Sequence, residues 1–250
     1  MTIALRRLID PSLWFVGLLL IWEMLVHSLQ VETHILAPPS DFLPRIFAEY
    51  QRFLFHGAIT TKLIVYGFIA GAIPGVVLGF AIASSRRLEQ ILYPLVVFIQ
   101  GLPKITLAPL MLVWFGYSTF PKVLLTGLIT FFPILVDSVA GFKSVDPRLF
   151  YISRSMGATP WQTFWKIQVP SAAPSIFSGF KITIVVAVTV VIVVEWLNSR
   201  NGLGYIVLRA MDNADTSLIF ATLVVGSAIG VLLNYAVTLA EHLLLPWRRR

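Results

Sequence analysis

Residues 151–170 read YISRSMGATPWQTFWKIQVP, a polar and basic block set inside an otherwise apolar chain. Local chemistry predicts two short helices here. Asp146-Pro147 supplies a cap and a first-turn proline for one helix, which ends near Met156 with Gly157 as a left-handed stop. Thr159-Pro160 starts the second, which runs through Trp161, Phe164, Trp165 and Ile167 and stops before Pro170. Aromatic and aliphatic residues line both helices, more than helices facing only water require. Two readings follow: a pair of helices whose apolar side docks into a groove on another protein, or a re-entrant pair packed against its own bundle.

The surroundings decide the fold class. The chain is 57% hydrophobic and 12% charged, with mean hydropathy +0.84. A soluble domain carries about a quarter charged residues, so this balance predicts a polytopic, all-α integral membrane protein. With no cysteine, disulfides and thiolate chemistry are excluded. The formal charge of +7 is read as basic loops facing anionic lipid rather than as a nucleic-acid surface. Arg6 and Arg7 precede an apolar run over 13–29 that is long for a signal peptide and lacks a small-x-small cleavage site, so it is read as a retained span.

Hydropathy divides residues 1–250, taken as a single transmembrane domain, into six spans. The first covers 12–30, starting at the cap Asp10-Pro11. Residues 31–57 form an extracytoplasmic segment in which Ser40 or Asp41 caps a surface helix over 42–55. Spans two to four occupy 63–142, the third of them (91–116) broken at Gln100-Gly101-Leu102-Pro103-Lys104. It is too short for two crossings of roughly 20 residues each. Residues 143–173 form a loop containing the quoted block, and spans five and six lie within 174–245. The excess of Lys and Arg puts both termini and that loop in the cytoplasm. In the second span Gly67, Gly71, Gly75 and Gly79 share one helix face, which serves tight packing inside the subunit or an interface between subunits.

Gly157, nine residues, then Ile167-x-Val169-Pro170 resembles the cytoplasmic loop of bacterial ABC-importer permeases, E-A-A-x3-G-x9-I-x-L-P. Ser155 to Phe164 is similar to the nitrate/sulfonate/taurine-type branch. So are Leu36-Ala37-Pro38-Pro39-Ser40, the run from Pro109 to Gly116, and Gly202-Leu203-Gly204. One departure is plain: Tyr151-Ile152-Ser153 stands where the family has Glu-Ala-Ala. Docking at this loop is therefore expected to use apolar burial and hydrogen bonds instead of an ion pair.

The resemblance implies a type I importer permease fold and a subunit that pairs in the membrane, by default as a homodimer. It also implies a cytoplasmic ABC ATPase dimer and an extracytoplasmic solute-binding protein as partners. The chain has no G-x-x-x-x-G-K-[ST] motif, so it is expected to be no enzyme and to bind no cofactor; ATP and Mg²⁺ belong to the partner ATPase. The residues expected to couple to that ATPase are Tyr151, Ile152, Ser153, Met156, Gly157, Ala158, Trp161, Ile167 and Pro170. Along the solute path, Gln100, Pro103, Lys104 and Glu195 are the candidates, because polar groups inside a span need a reason to be there. Lys104 either meets an anionic solute, or snorkels, or pairs with Asp137 or Glu195. The implied cargo is a sulfonate-, taurine- or nitrate-like anion or a heteroaromatic precursor. The rival classes are a stand-alone secondary transporter and a membrane-embedded enzyme. Against the enzyme, the four histidines are scattered singly with no metalloprotease or nucleophile-elbow motif; against the transporter, no internal repeat is evident.

Overall fold

The computed structural model describes residues 2–249, with side chains described for residues 13–247 except Asn198. The expected cap at Asp10-Pro11, the pair Arg6 and Arg7, and the arginines at 248–250 lie outside the described side chains. Among the described residues the chain is entirely helical. Its elements are α1 (Thr2–Ser28), α2 (Pro39–Ala48), α3 (Tyr50–Ser84), α4 (Arg86–Gln100), α5 (Ala108–Phe115), α6 (Thr119–Lys143), α7 (Pro147–Ser155), α8 (Pro160–Thr163), α9 (Val169–Asn198), α10 (Leu203–Asp212) and α11 (Thr216–Leu244).

Four stretches are long and apolar enough to cross a membrane: Tyr50–Ser84, Thr119–Lys143, Pro160–Leu197 and Thr216–Leu244. A fifth crossing arises if α4 and the segment Lys104–Phe115, bent by 76° at their junction, count as one broken span. The apolar part of α1, Leu13–Ser28, is shorter. Large side chains such as Trp14, Val113 and Leu232 point away from the bundle, as expected where lipid is the solvent.

The centre of the bundle is the α3–α6 pair. The face of α3 bearing Gly67, Gly71, Gly75 and Gly79 lies against α6 of the same chain. A Cβ placed on Gly71 would sit 2.6 Å from the Gly127 carbonyl oxygen, and one on Gly79 would sit 2.5 Å from Ser138 Cβ. Only hydrogen at these positions lets the backbones approach so closely. Helix α9 packs alongside through Ile184, Ala187, Val188 and Val191, which meet Leu63 and Ile64 of α3. Asn234 of α11 donates to the Lys181 carbonyl of α9 (3.0 Å), and Lys181 forms an ion pair with the buried Glu241. Lys181 is thus engaged inside the bundle, not free at an interface.

Three local differences from the sequence reading have clear causes. The helix expected over 42–55 is instead α2, followed by a corner at Glu49 (φ −105°, ψ 26°) and the early start of α3. Glu49 accepts from Arg45 and Arg52 (2.7 Å each), and Arg45 also donates to Asp215 before α11 (2.7 Å). That network fixes the corner. Second, α2 is capped neither by Ser40 nor by Asp41. Glu23 of α1 accepts from the Ser40 amide (3.0 Å) and hydroxyl (2.6 Å), and Trp22, Phe42 and Phe220 cluster beside it.

Third, the helix after Trp161 does not stop before Pro170. A π-helical turn, Phe164–Gln168, joins α8 directly to α9, with the Val169 amide bonded to the Phe164 carbonyl. The wider turn makes room for the proline ring, which has no amide to place.

Candidate functional site

At one end of the bundle α7 and α8 form a compact corner. Asp146 accepts from the Arg148 amide (2.9 Å) and opens α7. Its end is a Schellman motif: the Gly157 amide bonds to Arg154 O and the Ala158 amide to Ser153 O, both at 3.0 Å, with Gly157 at φ +69°. Thr159 and Gln162 then form a reciprocal capping box for α8. Ser153 is buried and its hydroxyl meets Thr163 at 3.4 Å, so it joins the two helices from inside. Phe164 packs against Phe80 near the end of α3 with the rings tilted (4.6 Å between centroids), and Phe80 contacts Phe142 of α6. The corner is therefore anchored to the two central helices.

The expected coupling residues divide in two. Tyr151 (70%), Ile152 (54%), Met156 (80%) and Trp161 (69%) are exposed. By contrast Ser153 is buried, Ala158, Ile167 and Pro170 are half-buried, and Gly157 makes the turn. Phe80, which seats the corner, was invisible to local sequence reading; it lies 84 residues before Phe164 and only the shared aromatic character hinted at it.

Gln100, Pro103 and Lys104 come together at the 76° bend between α4 and α5. Lys104 Nζ donates to the Gln100 carbonyl (2.7 Å), which the break leaves without a helical partner, and lies over the Phe132 ring at 4.9 Å. It pairs with neither Asp137 nor Glu195. Asp137 lies against Gly179 of α9.

Glu195 sits elsewhere, near the opposite end of α9 from the α7–α8 corner, and is completely buried. Its carboxylate accepts from Thr60 Oγ1 (2.8 and 3.0 Å) and from the Gly204 amide (3.1 Å). Thr60 also accepts from the Leu203 amide (2.9 Å), and His56 Nδ1 accepts from the Gly202 amide (2.9 Å). Together they satisfy successive amides at the start of α10. Gly202 has φ +107°, and the Glu195 carboxylate fills the space a side chain there would need. Thr60 and His56 escaped the sequence reading because nothing local marks them; their partners lie more than 130 residues away.

A helical bundle with a broken crossing, a glycine-packed core and a capped helical corner at one end is an architecture suited to a membrane transport subunit. Among the described residues no group of histidine, aspartate and glutamate is placed to hold a metal ion. Residues 75–250 match the family described as the binding-protein-dependent transport system inner membrane component. The formylaminopyrimidine transport permease protein ThiX of Halalkalibacterium halodurans is 35% identical over 243 residues, covering 97% of each chain. The taurine transport system permease protein TauC of Escherichia coli is 28% identical, over 92% of this chain and 86% of its own. In fold, the chain is similar to an amino acid ABC transporter solved with histidines (TM-score 0.62, 18% identity, 84% of this chain and 98% of that one). The MetNI methionine ABC transporter in an inward-facing form is also similar (TM-score 0.57, 19% identity, 78% and 98%).

The chain belongs to this family. It is a multi-pass inner-membrane permease subunit of an ATP-driven importer for small solutes, serving with an ABC ATPase on a separate chain and a solute-binding protein.

Proposed function

We propose that two copies of this chain assemble as a homodimer, each crossing the membrane six times with both termini in the cytoplasm. The Lys/Arg excess around α7 and α8 supports this orientation. In this arrangement the α7–α8 corner docks into the cytoplasmic ATPase dimer, which holds the ATP and Mg²⁺, while this chain holds neither. ATP-driven closure of the ATPases then pulls the corner and rocks the bundle between inward-open and outward-open states.

The observation that carries this reading is the exposure of Tyr151, Ile152, Met156 and Trp161 on one short, rigidly capped corner. Large apolar side chains held in water at a polar corner are a docking surface in want of a groove. Burying one such side chain is worth roughly 1.5–3 kcal/mol, enough for a few of them to replace the ion pair that Tyr151 cannot make.

The solute path passes the bend at Gln100, Pro103 and Lys104, where Lys104 is available to an anionic group. Glu195 bears on the path through the α10 turn it holds. The cargo is a small delivered solute, a sulfonate- or taurine-like anion or a heteroaromatic precursor. The named cargoes of relatives, formylaminopyrimidine, aliphatic sulfonates, riboflavin and taurine, support that range. The test is co-purification: an ABC ATPase is expected to come down with the wild-type chain and to be lost from a Met156→Ala/Trp161→Ala double variant that still inserts. An ATPase retained equally by both, or by neither, would overturn the docking assignment.

A further inference from the structure

A cavity lies at the α10 end of the bundle, far along α3 and α9 from the α7–α8 corner. Its volume is ≈ 650 Å³, and its walls include Lys62, Tyr66, Tyr117, Lys122, Ser199 and Arg200. They come from three places: the fourth and fifth turns of α3, the loop into α6 with its first turn, and the loop after α9.

Its charge is one-sided. Three cationic side chains face the space and no carboxylate lines it. Lys122 is buried and donates to Ser199 Oγ at 2.8 Å, with Glu195 near enough to offset part of its charge. Glu195 is itself engaged by Thr60 and Gly204. Among the described residues, Lys62 and Arg200 have no acidic partner within ion-pair distance; Lys62 only lies over Tyr66 at 5.6 Å. In the orientation proposed above this is the extracytoplasmic mouth, where the positive-inside bias runs against basic residues. Cations kept there, converging on a cavity with two tyrosines and a serine, have the makeup of an anion subsite.

We infer that this cavity receives the acid group of a small anion, a sulfonate, carboxylate or phosphate, at the outer mouth of the permease. Lys62 and Arg200 supply the charge, Lys122 and Ser199 the buried floor. The inference rests on the orientation proposed above and narrows the cargo to molecules with an acid group, unless the group comes from an outer-leaflet lipid.

The experiment uses the full-length chain in nanodiscs and radiolabelled methanesulfonate as the probe. In phosphatidylcholine discs the probe is expected to bind saturably and to weaken as salt is raised. Lys62→Gln/Arg200→Gln is expected to weaken it at least tenfold, and each single variant by less. Both side chains are exposed, so the fold is expected to persist, checked by helical content and elution volume. In phosphatidylglycerol discs a headgroup source shows as lost probe binding, with phosphatidylglycerol retained by the wild type and released by the double variant. Unchanged probe binding in phosphatidylglycerol assigns the subsite to the solute. Probe binding that the double variant leaves unaltered overturns the proposal, as does the absence of both probe binding and retained lipid. Either negative leaves the ATPase co-purification result untouched, so the two proposals fail separately.

Discussion

Thr60 Oγ1 lies 2.8 Å from one carboxylate oxygen of Glu195 and 3.0 Å from the other, although 135 residues separate the two in sequence. Through this pair, helices α3 and α9 and the start of α10 share one buried polar node. Its single hydroxyl also receives the Leu203 amide, so neither partner can be lost without stranding a buried group.

The first prediction follows from that count. Thr60→Val keeps the shape but leaves the carboxylate and the Leu203 amide each short of a partner, at a cost of about 1–3 kcal/mol. The thermal midpoint is expected to fall by several degrees, given roughly 2–4 °C per kcal/mol at this chain length. Glu195→Ala is expected to fall further, and Thr60→Ser to behave nearly as wild type. Thermal unfolding in detergent measures all three.

Gly71→Ala tests the close contact of α3 with α6. Its new methyl would sit 2.6 Å from the Gly127 carbonyl oxygen and 2.8 Å from the Phe131 amide nitrogen, both backbone atoms that cannot swing aside. A destabilisation of about 1–3 kcal/mol is expected, as for other overpacked sites. Gly17→Ala, where nothing lies within 4 Å, is the matched control.

Gly157 presents the opposite case. No atom lies within 4 Å of a Cβ there, yet φ is +69°. Gly157→Ala is expected to cost about 1–2 kcal/mol from the left-handed backbone alone, and Gly157→Asn less, since asparagine tolerates that region. Gly157→Arg should insert and fold but carry a bulky cation into the docking face. Loss of ATP-dependent uptake with normal membrane insertion is the expected result.

The corner between α2 and α3 gives a pH dependence. Burial disfavours charge on Glu49, but the hydrogen bonds from Arg45 and Arg52 overcome it and hold its carboxyl below the ordinary value. A carboxyl with a depressed folded-state pKa adds stability that is fully present above its unfolded pKa, about 4.3 for glutamate. That stability is lost as pH falls through the lowered value. The thermal midpoint of the wild type should therefore drop more steeply below pH 4 than that of Glu49→Gln, while the difference between the two stays constant between pH 5 and 7.

What the sequence made legible was local or periodic. Four glycines at a spacing of four marked a face for close approach, and Asp146, Gly157 and Thr159 marked the turns of the α7–α8 corner by their own backbone chemistry. The break at Pro103 also read directly. Contacts that join distant segments did not. Glu195 reads as a polar residue at a span's end, and only folding brings it under the Gly202-Leu203-Gly204 turn. The corner at Glu49 depends on Asp215, 166 residues on. Pro170 misled because a proline normally ends a helix, and the π-helical turn that accommodates it has no simple local signature.

That uninterrupted passage through Pro170 has a mechanical meaning. Pro160–Leu197 is continuous over 38 residues, on the order of 57 Å at 1.5 Å per residue. In the proposed arrangement this shaft crosses the cytoplasmic threshold without a break in its helical run. A stroke delivered near Trp161 in that arrangement would be carried to the helix's far end, two residues beyond Glu195.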